Sequence, residues 1–167
     1  MQIIKTILCL SLCWALFAGC KDHVHPEKKI FRYNEITGIA SLDPAFAKNQ
    51  SIMWAIHQLY NTLVEVDDSM HLKPSLAKGW QFSADNKEIT FHLRNDVFFH
   101  DDPAFPNGKG RRLVAADVLY SFSRIIDKSV ASPGAWVFNN RVDSTEPFRA
   151  IDDTTFLLRL QKPFQPI

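Results

Sequence analysis

Two hydrophobic periods follow one another along this chain. Across residues 51–64 the apolar side chains Ile52, Ile56, Leu59, Tyr60 and Leu63 fall on one helical stripe. The spacing predicts an amphipathic helix, with Asn49 or Ser51 as its cap. Downstream the period drops to two. Trp80 and Phe82 alternate, residues 83–87 carry turn chemistry, and Ile89, Phe91 and Leu93 alternate with Thr90, His92 and Arg94. That pattern predicts a hairpin with one apolar face, and Val97-Phe98-Phe99 predicts an adjacent strand. Residues 101–112, with two prolines and an Asn-Gly, predict a surface loop. Val118, Phe122 and Ile125 mark a second helix over residues 115–126, and Phe156, Leu158 and Leu160 a last strand after an Asp152-Asp153 turn. A short strand at residues 30–33 opens the series. The resulting order, β-α-β-β-β-α-β, belongs to the mixed α/β class, a sheet with helices.

The start of the chain follows neither period. Residues 7–19 are almost wholly apolar, preceded by Lys5 and ended by small residues. A membrane span needs about 20 apolar residues, more than this run supplies. A basic start, a short apolar run and a small-residue exit describe a secretory signal over residues 1–19. Phe17-Ala18-Gly19 before Cys20 resembles a bacterial lipobox, with Phe in place of the usual Leu. The expectation is a lipid-modified Cys20, a polar tether over residues 20–29, and membrane anchorage through that lipid. The alternative is an ordinary signal peptide with an incidental cysteine at its end. At the other end the chain stops on Ile167, soon after a strand, and so reads as the front section of a longer protein.

Composition changes this picture once the signal is set aside. The 167 residues carry 19 Lys+Arg against 18 Asp+Glu, a formal charge of +1. Without Lys5 the two signs balance, so no field gathers nucleic acid, and no nucleic-acid partner is expected. Cys9 and Cys13 depart with the signal, leaving Cys20 committed to lipid and no thiol for an internal disulfide. An exported chain of this kind has to rely on a hydrophobic core.

Catalytic chemistry finds little support. No G-x-S-x-G elbow is present, no thiol remains for nucleophilic work, and residues 107–110 (Asn-Gly-Lys-Gly) do not form a phosphate loop. Of six histidines only His23 and His25 lie close in sequence, whereas a structural zinc site needs about four ligands. His92 and His100 read as surface histidines. The expectation is no catalytic residue, no metal and no cofactor; a metal-dependent enzyme using His23, His25 and His100 is the rival.

Several blocks then carry a resemblance. Leu42-Asp43-Pro44, Tyr60-Asn61-Thr62-Leu63-Val64 and the run from Lys73 to Trp80 come first. Asp85-Asn86-Lys87, Phe91-His92-Leu93-Arg94, the run from Val97 to Asp101 and the run from Ala116 to Arg124 come after them in the same order. In this order and spacing the chain resembles the extracellular solute-binding proteins of family 5, the oligopeptide- and dipeptide-binding lipoproteins of ABC importers. The likeness runs from about Ile30 to Pro163. It departs from the family at Val114, where a Thr usually caps the helix, and at residues 102–113, where the loop is longer.

The resemblance implies a type II periplasmic-binding-protein-like fold, incomplete here. Residues 30–45 would be the first segment of lobe I and residues 46–167 the extra N-terminal domain. Leu76 and Trp80 would fill the core beneath the sheet. The implied function is capture of di- or oligopeptides outside the cytoplasmic membrane and delivery to ABC permease subunits, at the periplasmic side of the cell envelope. Nickel, opine or oligosaccharide ligands, or a non-transport receptor on the same fold, are the alternatives. In this part of the chain the implied ligand-proximal residues are Ile39, Ala40 and Ser41, on the loop after the first strand.

Overall fold

The computed structural model describes residues 30–36 and 38–163. The signal and tether expected at residues 1–29, with Cys20, His23 and His25, lie outside the described residues. The chain divides into two units between Asn34 and Glu35. In the first, residues 30–34 are extended and exposed without forming a strand, so the strand expected at residues 30–33 is absent. Among the described residues no strand pairs with this segment, and an unpaired strand has no ladder to hold it.

The second unit is organised around a four-stranded antiparallel sheet. Two three-residue strands come first, β1 (Val64–Val66) and β2 (Leu72–Pro74), paired with each other. The main sheet holds β3 (Ala77–Phe82), β4 (Glu88–Leu93), β5 (Phe148–Asp152) and β6 (Thr155–Arg159), in the order β3-β4-β6-β5. The expected hairpin is β3 and β4. Its turn is closed by Asn86 N–H donating to the Ser83 carbonyl, with Asn86 in the left-handed region that asparagine tolerates. β6 then enters beside β4 with Phe156 opposite Phe91, and β5 lines its outer edge.

The helix expected at residues 115–126 forms with those bounds, Ala115–Ile126; among the described residues it is the longer of two α-helices, α2. Phe122 projects from it onto the sheet, meeting Phe156 at 5.3 Å and Phe148 at 5.4 Å between ring centroids, both edge-on. Phe138 completes the cluster at 5.5 Å from Phe122. Edge-on aromatic contacts add about 0.5–1.5 kcal/mol each beyond the burial of their area. Ala77, Leu93, Ala115 and Phe156 are fully buried around this cluster. The core therefore differs from the expected one: Leu76 and Trp80 are only half-buried, and Ala77 is fully buried between them.

Other expectations shift for local reasons. The first helix, α1, spans Gln50–His57 and stops well short of residue 64. Asn49 caps it, its Oδ1 accepting the Ile52 N–H at 3.0 Å, and Ile52, Ala55 and Ile56 form its buried stripe. Beyond His57 the chain turns, and Leu59 and Tyr60 are exposed. Thr62, Val64 and Val66 are β-branched and favour the extended chain at β1. Val97-Phe98-Phe99 is not a strand of the sheet; Phe98 bridges to Arg112 instead, closing the 101–112 loop at its base. Gly110 is required there, since a Cβ would lie 1.8 Å from the Phe99 carbonyl oxygen. At the start of α2, Val114 offers no acceptor, yet half of the capping box survives. Asp117 accepts the Val114 N–H at 2.9 Å and forms a two-pronged ion pair with Arg111.

Candidate functional site

The loop that carries Ile39, Ala40 and Ser41 starts at Gly38, whose φ of +71° is a left-handed conformation that glycine adopts without a steric penalty. Among the described residues, no backbone–backbone hydrogen bond involves residues 38–42. Ile39 and Ala40 are exposed and Ser41 is half-buried. The Ser41 Oγ accepts the Asp43 N–H at 3.1 Å, so its oxygen faces back along its own chain. The loop thus presents its main chain together with the exposed apolar side chains of Ile39 and Leu42.

The turn at the end of this loop is tightly held. Asp43 caps a short 3-10 turn, Pro44–Phe46, with its Oδ1 accepting the Ala45 N–H at 3.0 Å. The same carboxylate receives both ends of the Arg124 guanidinium, from Nη1 at 2.7 Å and Nη2 at 2.6 Å. Parallel bonds of this kind fix the relative orientation of the two planar groups as well as their distance. Arg124 sits in the last turn of α2, one helical turn beyond Tyr120. Its hydrogen bonds hold the Asp43 carboxyl below the usual carboxylate range, against partial desolvation, and the Ala45 N–H adds to that effect. A second clamp is apolar in its surroundings. Ser132 is buried, and its hydroxyl donates to the Ala45 carbonyl at 2.6 Å while accepting the Gly134 N–H at 3.1 Å. Ala45 is itself buried.

The structure therefore places the three expected residues together on one exposed loop and adds two residues that sequence reasoning missed. Arg124 and Ser132 lie 81 and 87 positions from the groups they hold, and no local pattern links them. The nearest signal is the Asp-Pro at Asp43-Pro44, which marks a turn without naming its partner. Among the described residues the histidines do not converge. His92 is half-buried on β4 and His100 exposed in the loop base, and among the described residues no three His, Cys, Asp or Glu side chains group as metal ligands.

The sequence model for bacterial extracellular solute-binding proteins, family 5 Middle, matches residues 71–167, more than half of the chain. The chain belongs to this family. The dipeptide-binding protein of Escherichia coli (strain K12) is 34% identical over 118 residues, covering 65% of this chain and 21% of that protein. Heme-binding protein A of Haemophilus influenzae is likewise 34% identical, over 113 residues, covering 63% of this chain and 20% of that protein. Among solved structures, the chain is similar to the ABC transporter-associated periplasmic binding protein DppA from Helicobacter pylori in complex with the peptide STSA. That likeness has a TM-score of 0.62 at 33% identity and covers 75% of this chain and 26% of DppA. The chain thus spans between about a fifth and about a quarter of the length of these relatives. Its mixed helix-and-sheet architecture is the one found in periplasmic binding proteins of this family.

Proposed function

We propose that this chain is the front section of a substrate-binding lipoprotein that captures di- or oligopeptides outside the cytoplasmic membrane and delivers them to an ABC permease. The observation that carries the reading is the likeness to DppA, a peptide-bound relative, at 33% identity and a TM-score of 0.62. Residues 39–41 support it. An exposed loop that makes no backbone–backbone hydrogen bond among the described residues suits a peptide that binds through its own main chain, as an added strand. In this reading residues 30–45 belong to the first lobe, residues 46–167 to the additional domain, and the lipid on Cys20 holds the protein at the envelope. Closure around the ligand arises from contacts that favour the shut state, and the protein makes and breaks no bond in the cargo. Heme-binding protein A, at the same 34% identity as the dipeptide-binding protein, gives the second reading, a non-peptide cargo on the same frame.

One experiment separates these. The protein expressed from its whole reading frame is titrated calorimetrically with dialanine, trialanine and hemin. Saturable binding of either alanine peptide supports the peptide reading; binding of hemin alone replaces it with the second. Mass spectrometry of the membrane fraction tests the anchor. A diacylglyceryl group on Cys20 is expected, and an unmodified Cys20 removes the lipoprotein claim.

A further inference from the structure

We infer that Arg124 and Ser132 are positioning residues for the 39–41 loop, acting through Asp43 and Ala45; the inference rests on the reading that this loop lies beside the ligand. The loop has no backbone–backbone hydrogen bond of its own among the described residues, so its place in space is set where it rejoins the body. That point is the turn at Asp43–Phe46, and two clamps from outside the segment hold it. The Arg124 fork takes both carboxylate oxygens of Asp43, and the buried Ser132 hydroxyl takes the Ala45 carbonyl.

The two clamps act on different degrees of freedom. Ser132 fixes the depth of the turn, because its hydroxyl bonds a buried main-chain carbonyl and is oriented in turn by the Gly134 N–H. Arg124 fixes rotation, because a planar fork accepts only a coplanar carboxylate. The Asp43 N–H transmits that orientation upstream to Ser41, whose Oγ it bonds. Pro44 removes one backbone rotation from the path. Both clamping residues come from α2 and the turn just after it, which the aromatic cluster binds to the sheet through Phe122 and Phe138. The loop is therefore indexed to the body of the second unit, not to its own sequence neighbours. Loss of the index leaves the loop in place but lets it sample other orientations. If it is competent a tenth of the time, affinity weakens about tenfold with no contact to ligand removed.

The test uses the protein expressed from its whole reading frame and four variants: Arg124→Met, Arg124→Lys, Asp43→Asn and Ser132→Ala. Hydrogen exchange of residues 43–47, where the Asp43, Ala45, Phe46 and Ala47 amides are hydrogen-bonded, is compared with that of β4 and β6, and trialanine affinity is measured calorimetrically. In Arg124→Met and Asp43→Asn these turn amides should exchange about tenfold faster while the strands keep their protection. Trialanine should bind about tenfold more weakly, and Arg124→Lys should recover part of both effects, since it restores the charge without the fork. Unchanged exchange of residues 43–47 in all variants overturns the inference. Equal acceleration in β4 and β6 also overturns it, since the residues would then be structural alone. Faster exchange of residues 43–47 with unchanged trialanine affinity sinks the ligand-proximal reading and, with it, the functional half of the inference. If the unaltered protein does not bind trialanine, the peptide reading fails, and the exchange measurement still decides whether the turn that carries the loop is indexed by Arg124.

Discussion

The body of the second unit, from β3 to β6 with α2, and its front section, from Glu35 through β2, are stabilised in different ways. In the body, large side chains remote in sequence converge: Leu93 and Phe156 are completely buried, and Phe122 meets two rings edge-on. In the front section deep burial is confined to Ala45 and one stripe of α1, Ile52, Ala55 and Ile56, while many other apolar residues face out. Ile36 is 97% exposed and Met70 83%, and Met53 and Trp54 are exposed on the outer side of α1. To that short stripe the front adds polar, directional bonds: the Asn49 cap, the Asp43–Arg124 fork and the buried Ser132 hydroxyl. A body built on extensive burial can be trimmed only at high cost in stability. A front held by one short apolar stripe and a few bonds can be adjusted while the body stays folded, which suits a segment that has to present a loop.

The contrast can be broken most directly at Phe156. Phe156→Ala should cost about 3–5 kcal/mol, because the cavity left between α2 and the sheet has no side chain free to fill it. Chemical denaturation reads this as a lower midpoint; a loss near that of a surface substitution would show that the aromatic cluster does not carry the body. The matching change in the front, Trp54→Ala, should stay within about 0.5 kcal/mol. A loss comparable to that of Phe156→Ala would mean that the outer face of α1 is held by burial as well.

Acid sharpens the same comparison on the polar side. The Asp143 carboxyl is drawn down to about 2, first by the Glu146 N–H and then by Thr145, from an ordinary value of 3.8. A depressed carboxylate contributes stability that is present above its unfolded pKa and lost as pH falls toward the folded one. Asp143→Asn should therefore lower the denaturation midpoint at pH 7, and the gap to the unaltered protein should close between about pH 4 and pH 2. A gap that is the same at both ends would dissociate the effect from protonation. The Asp43 carboxyl is lowered for a related reason, by Arg124 in first place. Acid should accordingly loosen the turn at residues 43–47 as well, in hydrogen exchange recorded below pH 4.

The smallest effect is a gain. Val114→Thr supplies the acceptor that α2 lacks while Asp117 already serves the reciprocal half of the box. It should raise stability by about 1 kcal/mol. No change in thermal midpoint would mean that the start of α2 is already fixed by Arg111 and by the Ala115 N–H bond to the Asp153 carbonyl.

Elements that pair a strong period with a one-sided burial were legible in the sequence. The hairpin of β3 and β4 and the bounds of α2 come from alternation and from helical spacing alone. β1 and β2 were not legible, because three-residue strands of Val-Glu-Val and Leu-Lys-Pro are too short to show a period. β5 was missed because Phe148 is its only deeply buried residue and Ile151 sits in a bulge, exposed. At α1 the apolar stripe continues in the sequence past the end of the helix at His57, so the pattern overstates its length. The candidate loop was legible as a position, through Gly38 and Asp43-Pro44, but not as a geometry.

The sequence by itself determined the local units: where a hairpin turns, where α2 begins and ends, where Gly38 and Asp43-Pro44 mark a loop, and which family pattern these units compose. Those properties depend on residues a few positions apart. Only the tertiary structure decided that Ala77 is fully buried while Trp80 is not, and that Arg124 and Ser132 hold the turn beside residues 39–41. Packing and paired charges depend on distances between elements, and contacts across more than 80 positions leave no mark in a local pattern.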